Sequence, residues 1–358
     1  MSKLFRLKED YTPHPFRWWH IPLLLLLIGG TIYIARDART AKHEPTATSR
    51  PFQRNEGAVF GTFYHMTYVG DTDMQPFIDS VLAEVDRSLS PFNPKSVITA
   101  INENASAETD ARFRYVFRLA QRISTETEGA FDITCAPLVN AWGFGFKHAA
   151  DVDSAMIDSI LQFVGYDKIA LNDKQVVKKD DRMMLDCSAI AKGYGVDAVT
   201  EMFDAHGIDS YMVEIGGEVR VKGTNPQGET WRIGINKPMD DPTNTNDELQ
   251  DIISISDIAM ATSGNYRNYY EKDRKRYAHT IDPRTGYPVQ HSVLSATVLA
   301  PDCATADAYA TAFMVMGLEQ AQALLATKTE LKAYLIYADG EGNNCVWHSK
   351  DLNLQPVE

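Results

Sequence analysis

The residues best placed to do chemistry lie in one stretch, Asp302 to Gly317, which reads DCATADAYATAFMVMG. Asp307 and Thr311 stand four positions apart. On a helix that spacing puts a carboxylate and a hydroxyl on one face, within reach of a single point. Alanines, Phe313, Met314, Val315 and Met316 surround them, and a charge in apolar company needs a partner. One carboxylate and one hydroxyl, with water and phosphate completing the shell, is the sparse oxygen set that magnesium takes from proteins. The plain alternative is a capping Asp near a helix start, with Thr311 bonding back to a carbonyl.

Three further stretches carry candidate groups. In Leu185 to Val199, LDCSAIAKGYGVDAV, a strand end runs into a helix start. Asp186 and Ser188 are placed to cap that helix, and Lys192 follows one turn later, a layout able to hold the polar groups of a nucleotide near exposed amides. Walker A spacing is absent and no GxGxxG occurs, which excludes a generic P-loop or dinucleotide fold. In HTIDPRTGYPV, Pro283 and Gly286 mark a tight turn that would fix His279 and Asp282 in one orientation; a His beside an Asp in such a turn is a candidate general base. In residues 129–145, GAFDITCAPLVNAWGFG, Asp132 sits between Phe131 and Ile133, where a core strand has no use for it. A turn Asp satisfied by backbone amides is the alternative there.

The chain that must position these groups has 358 residues, 44% hydrophobic and 23% charged, with a formal charge of −13. That is a globular composition, neither disordered nor fibrous. The acidic balance argues against a surface that grips nucleic acid by phosphate neutralisation. Cys135, Cys187, Cys303 and Cys345 form no CxxC and no cluster, so neither a zinc site nor a disulfide framework is signalled.

Residues 1–20 are basic and aromatic, and Ile21 to Ala35 is an apolar run with Trp18 and Trp19 at its edge. The run is short of the roughly 20 residues a spanning helix needs, and the Trp pair as an interfacial belt makes up the length. An uncleaved signal anchor is the first reading, a cleaved signal the second, and no Cys near its end offers a lipid site. Residues 36–56 read as a polar tether, residues 57–350 as the folded body and 351–358 as a tail. Within the body a first strand is expected over Val59–Val69, helices over Pro76–Leu89, Phe113–Thr127 and Asp151–Val164, and a hairpin over Ile169–Met184. Tyr211–Lys222 reads as a strand broken by a Gly pair, followed by strands at Trp231–Asn236, Ile252–Ile258 and Val293–Ala300 and a closing hairpin over Leu331–Trp347. Short strands interspersed with a few long helices imply an α+β body whose helices pack on two mixed sheets.

Taken in order, LSPFNPKS, GAFDITCAPLVNAWGFG, DCSAIAKGYGVD, VEIGGEV, ATSGNYRNYY, HTIDPRTG and ADAYATAFMVMG resemble the FAD:protein FMN transferases, the ApbE flavin transferase family. Members take FAD, use magnesium, attach the FMN half through a phosphoester to a threonine of another exported protein, and release AMP. The resemblance implies that Asp307 and Thr311 bind magnesium with the carbonyl of Ala189. It implies that Phe92, Ala130, Phe131, Asp132, Asp186, Lys192 and Ile281 line an FAD cleft between the sheets, with His279 near the reacting hydroxyl. The signal-like layout of the N-terminus implies a catalytic domain on the periplasmic side of the bacterial inner membrane, and the resemblance implies an exported subunit of a membrane electron-transfer complex as acceptor. Phe60 and Phe92 stand where Met and Tyr are common in the family, Ala310 where some relatives have Asp, and the lipid-anchoring Cys is missing. An FAD pyrophosphatase and a non-enzymatic, membrane-tethered flavin binder are the competing readings.

Overall fold

Among the described residues the chain first reverses at Phe60 and Gly61, whose φ angles of 52° and 75° supply the left-handed pair that a tight hairpin turn requires. This turn joins β1 (Phe52–Val59) to β2 (Thr62–Val69). The single strand expected over Val59–Val69 is therefore a hairpin, and the body begins inside the stretch read as linker. β1 is an edge strand with alternate positions exposed, and edge strands carry polar residues, which is why FQRNEGAV reads like a tether.

The computed structural model describes residues 50–146, 152–238, 248–264, 269–272, 275–278, 280–355 and 357. The chain divides into Met1–Arg50 and Pro51–Glu358. The basic flank, the Ile21–Ala35 segment and most of the tether lie outside the described residues. Among the described residues no helix is long and apolar enough to cross a membrane.

From β2 the chain forms α1 (Gln75–Leu89), α2 (Val97–Asn102), α3 (Ala111–Glu126), α4 (Ala136–Ala141) and α5 (Ser154–Leu161), then the β3 (Ile169–Asn172) and β4 (Gln175–Lys178) hairpin. The long α6 (Ser188–Ala205) leads to β5 (Tyr211–Ile215), β6 (Glu218–Lys222), β7 (Trp231–Asn236), β8 (Leu249–Ile255) and β9 (Ile258–Gly264). The β10 (Tyr269–Lys272) and β11 (Lys275–Ala278) hairpin precedes β12 (Val293–Ala300), α7 (Cys303–Met316), α8 (Leu318–Leu325), β13 (Lys332–Ala338), β14 (Asn344–His348) and β15 (Leu354–Gln355). Two sequence boundaries shift. The strand expected over Ile252–Ile258 is interrupted by a turn at Asp257, with φ of 55°, and β15 pairs with β8, so the expected tail belongs to the body.

The main sheet has eight strands in the order β1-β2-β5-β6-β9-β12-β13-β14, and β15-β8-β7 form a second, three-stranded sheet. Every strand pairing among the described residues is antiparallel, which corrects the expectation of mixed sheets. Hairpin turns join β1 to β2, β5 to β6 and β13 to β14, and a turn of that length permits only antiparallel neighbours.

Both faces of the main sheet are covered. On one side Val219, Val221, Met260, Leu299 and Ile336 pack with Trp231, Ile235, Ile253 and Ile255 of the second sheet. On the other, Ala261, Ala296, Val298 and Ala300 pack under α3, α6 and α7. Because side chains alternate along a strand, the residues of β6 that alternate with its two valines, Glu218 and Arg220, point into the helix layer, where they form ion pairs with Lys192 and Asp197.

Asp302 caps α7 by accepting the Thr305 amide at 2.8 Å, and Gly317 ends it at φ 78°. A second carboxylate holds the same helix start from outside. Asp197 of α6 accepts the amides of Cys303 at 2.9 Å and Ala304 at 2.8 Å while pairing with Arg220 at 2.8 Å. The two helices touch at Gly193, where an added Cβ would lie 2.4 Å from the Cys303 carbonyl oxygen. Gly193→Ala is expected to push α6 off α7 and lower stability by at least about 1–3 kcal/mol, the usual range for overpacking. A urea denaturation midpoint equal to wild type would show that the crossing tolerates the methyl group.

Candidate active site

α6, α7, β9 and the loops around residues 130–145 and 280–283 enclose a cleft of about 830 Å³, the size of a cofactor site. Asp307, Thr311, Ala189, Lys192, Asp186, Asp132, Ala130, Phe131, Phe92 and Ile281 all line it. The structure thus brings together every site residue expected from sequence except His279, which lies outside the described residues.

The polar floor is built from α6 and α7. Asp307 is buried and its Oδ2 accepts the Gly193 amide at 3.0 Å. In a regular helix that amide points at the carbonyl of Ala189, four residues back, so the carboxylate competes for the donor that would otherwise satisfy that carbonyl. One turn on, the Thr311 hydroxyl lies 3.2 Å from the Ser263 hydroxyl of β9. Lys192 is bonded to Glu218. Burial alone would lower the Lys192 pKa, but Asp307 and Glu218 raise it, and the ammonium stays charged. Burial raises the pKa of Asp307 and of Glu218, against the pull of Lys192.

This donor set fits a hard cation. Among the cleft-lining residues, Asp307, Thr311 and Ala189 offer a carboxylate, a hydroxyl and a backbone carbonyl, all oxygen, and magnesium is bound through few protein oxygens with water and phosphate making up the rest. Two carboxyl groups share one ammonium; burial favours their protonated forms, and a bound cation would favour the charged ones. Among the described residues no group of three His, Cys, Asp or Glu side chains is placed to hold a metal ion.

The walls are tied by backbone. Asp132 is buried and accepts the amides of Thr134 and Tyr166, both at 2.7 Å; burial pushes its pKa up to about 6 although both amides oppose the shift. Its oxygens are engaged, as in the turn-Asp reading, and it fixes the shape of the wall. Asp186 accepts the Ser188 amide at 2.8 Å and gives its own amide to the Ile133 carbonyl at 2.8 Å, joining two walls. The helix itself starts at Cys187 without a side-chain cap, so capping by Asp186 and Ser188 is realised only as that local bond. Ile281 is buried beside a turn in which Gly286, φ 80°, donates to the Asp282 carbonyl. The Asp282 carboxylate is engaged by Arg284 Nε at 2.9 Å and Nη2 at 3.0 Å. Phe92 is 69% exposed. With Phe60 it also lines an adjoining cavity of about 430 Å³, an apolar slot of the kind that takes a planar ring.

Sequence reasoning missed Glu218, Thr262 and Ser263, which also line the cleft. For Glu218 a signal existed, since β6 alternates E-V-R-V-K beside a glycine pair. For the hydroxyls it did not, because ATSG carries no strand pattern by itself.

The ApbE family model matches residues 60–335. An FAD:protein FMN transferase of Vibrio cholerae serotype O1 is 39% identical over 297 residues, spanning 80% of this chain and 87% of the relative. One of Haemophilus influenzae is 38% identical over 304 residues, spanning 80% and 86%. Among solved structures, the flavin transferase ApbE from Vibrio cholerae superposes with a TM-score of 0.76 at 36% identity, covering 84% of this chain and 97% of that one. The apo form of the Pseudomonas stutzeri flavinyl transferase ApbE gives 0.75 at 29% identity, covering 85% and 96%. By the family match and by these relatives, this chain belongs to the ApbE family.

Proposed function

We infer that this chain is an FAD:protein FMN transferase, with FAD as donor and a protein as acceptor. The observation that carries the reading is the single cleft in which Asp307, Thr311 and Ala189 adjoin Lys192 and an apolar slot, the polar and flat surfaces that a flavin dinucleotide has to meet. In the finer reading, transfer depends on magnesium, the acceptor group is a threonine hydroxyl, and AMP leaves. Asp307, Thr311 and the Ala189 carbonyl would hold the ion. When bound, magnesium neutralises the diphosphate and makes the phosphorus easier to attack.

The remaining steps fall to side chains. Lys192, held between Asp307 and Glu218, offers a fixed positive charge to the phosphates. The threonine oxygen forms a bond to the flavin-side phosphorus as the bond to the bridging oxygen breaks. That oxygen leaves with AMP, and the threonine proton passes to a base, for which His279 is the proposed residue. His279→Ala is expected to bind FAD normally and to transfer about 10²- to 10⁴-fold more slowly. An unchanged rate would remove His279 from the role.

The Ile21–Ala35 segment is proposed as an anchor holding the body on the periplasmic side of the inner membrane, facing a threonine-bearing subunit of an electron-transfer complex. Its apolar length and Trp flank support this. The test of function is to incubate the protein with FAD, magnesium and a threonine-bearing acceptor protein and look for flavin fluorescence on the denatured acceptor. Fluorescence that vanishes with chelator supports the reading. A dark acceptor, with FAD split to FMN and AMP, indicates a pyrophosphatase, and intact FAD a binder.

A further inference from the structure

The two ion pairs under α6 are completed to different degrees. Asp197 has donors on both oxygens, from Arg220, Cys303 and Ala304. Glu218 does not. Its side chain is 3% exposed; one oxygen is bonded to Lys192, while Oε2 is buried without a hydrogen-bond partner, in the wall of the cleft. A buried carboxylate oxygen without a donor is unfavourable and uncommon, and it marks a place where something bound supplies the missing bond.

The surroundings say what kind of donor. Glu218 lies within the field of Asp307, which disfavours its charge, and Lys192 is attracted by both carboxylates. Once both carboxyls are ionised one ammonium cannot balance them, and a neutral hydroxyl would leave that excess untouched. A hydrated divalent cation supplies both the charge and the donor, because magnesium keeps several of its waters when it binds protein. Carboxylates that accept from such outer groups tune a metal site, and losing one typically costs about 10- to 100-fold in affinity or activity.

We propose that Glu218 is a positioning residue of the metal-diphosphate site: one oxygen holds Lys192 toward the cleft, and Oε2 accepts a hydrogen bond from a water of the divalent cation carried by Asp307. This rests on the function inferred above and extends it to a residue outside the expected ligand set.

The test is calorimetric titration of the protein with magnesium chloride alone, before any turnover is measured. Wild type is expected to bind one ion. Glu218→Gln, which keeps the shape and removes the charge, is expected to bind it about 10- to 100-fold more weakly, with an unchanged or raised melting temperature because a buried charge is gone. Glu218→Asp restores the charge on a shorter stem and is expected to recover part of the affinity; it also serves if the Gln variant fails to fold. A merely structural residue would show the reverse, a lowered melting temperature with unchanged magnesium affinity. Equal affinity in wild type and Glu218→Gln overturns the proposal and leaves the transferase reading standing. No magnesium binding by wild type overturns the metal assignment itself and this proposal with it.

Discussion

Asp307→Ala is expected to abolish magnesium-dependent flavin transfer while leaving a folded protein. The carboxylate is the one anionic group in the Asp307, Thr311 and Ala189 set, and neither a hydroxyl nor a carbonyl brings the charge needed to retain a divalent ion. Loss of a single transition-state donor elsewhere costs about 10²- to 10³-fold, and loss of the group that anchors the metal should exceed that. The fold should survive for two reasons. The Gly193 amide, now bound to Asp307, has its helical acceptor at Ala189 available, and Glu218 still balances Lys192. The check is initial rate against magnesium concentration with a circular dichroism melt beside it. A variant that transfers at a tenth of the wild-type rate with the same magnesium dependence would place the metal elsewhere.

Asp197→Ala is expected to give the largest loss of stability in the body, about 3–5 kcal/mol, the range for breaking a buried ion pair and leaving its partner uncompensated. The substitution strands Arg220 and removes the acceptor from two amides at the start of α7, three residues before Asp307. Activity should therefore fall with stability. pH separates Asn from Asp at this site. Burial pushes the Asp197 pKa up to about 6, against the pull of the two amides and Arg220, whereas an unfolded Asp titrates near about 3.9. Between those values the folded protein holds a proton that the unfolded chain has released, so stability from this group is fully present in acid and declines as pH rises from about 4 to 6. Urea midpoints of Asp197→Asn should lack that decline relative to wild type. Parallel pH profiles for the two proteins would show that the carboxylate is not perturbed.

The helix carrying Asp307 and Thr311 was legible because its chemistry is written at one spacing, a carboxylate and a hydroxyl one turn apart in apolar sequence with Asp302 and Gly317 as its ends. So were α1 and α3, where amphipathic periodicity marks the element; the glycine pair in Tyr211–Lys222, expected to break one strand, is instead the turn of the β5–β6 hairpin. What was not legible depended on neighbours. β1 reads as a tether because an edge strand is polar, and β9 carries no strand pattern because its small residues let α7 pack on the sheet. β6 is the most instructive. Alternation of valine with Glu218 and Arg220 normally means one dry face and one wet face, but helices cover the second face, so two charges that look solvated are buried partners of α6. The expected mixed sheets came from element order alone, which does not state which strands become neighbours. His279 and the Ile21–Ala35 segment lie outside the described residues and remain proposals from sequence.

The central claim is that this cleft hands the FMN half of FAD to a protein hydroxyl, and intact-mass measurement of the acceptor tests it most directly. After incubation with the full-length protein, FAD and magnesium, the acceptor should be heavier by FMN less one water, with AMP released in equal amount and neither change in the presence of chelator. An acceptor of unaltered mass, whether FAD is hydrolysed or left intact, would contradict it.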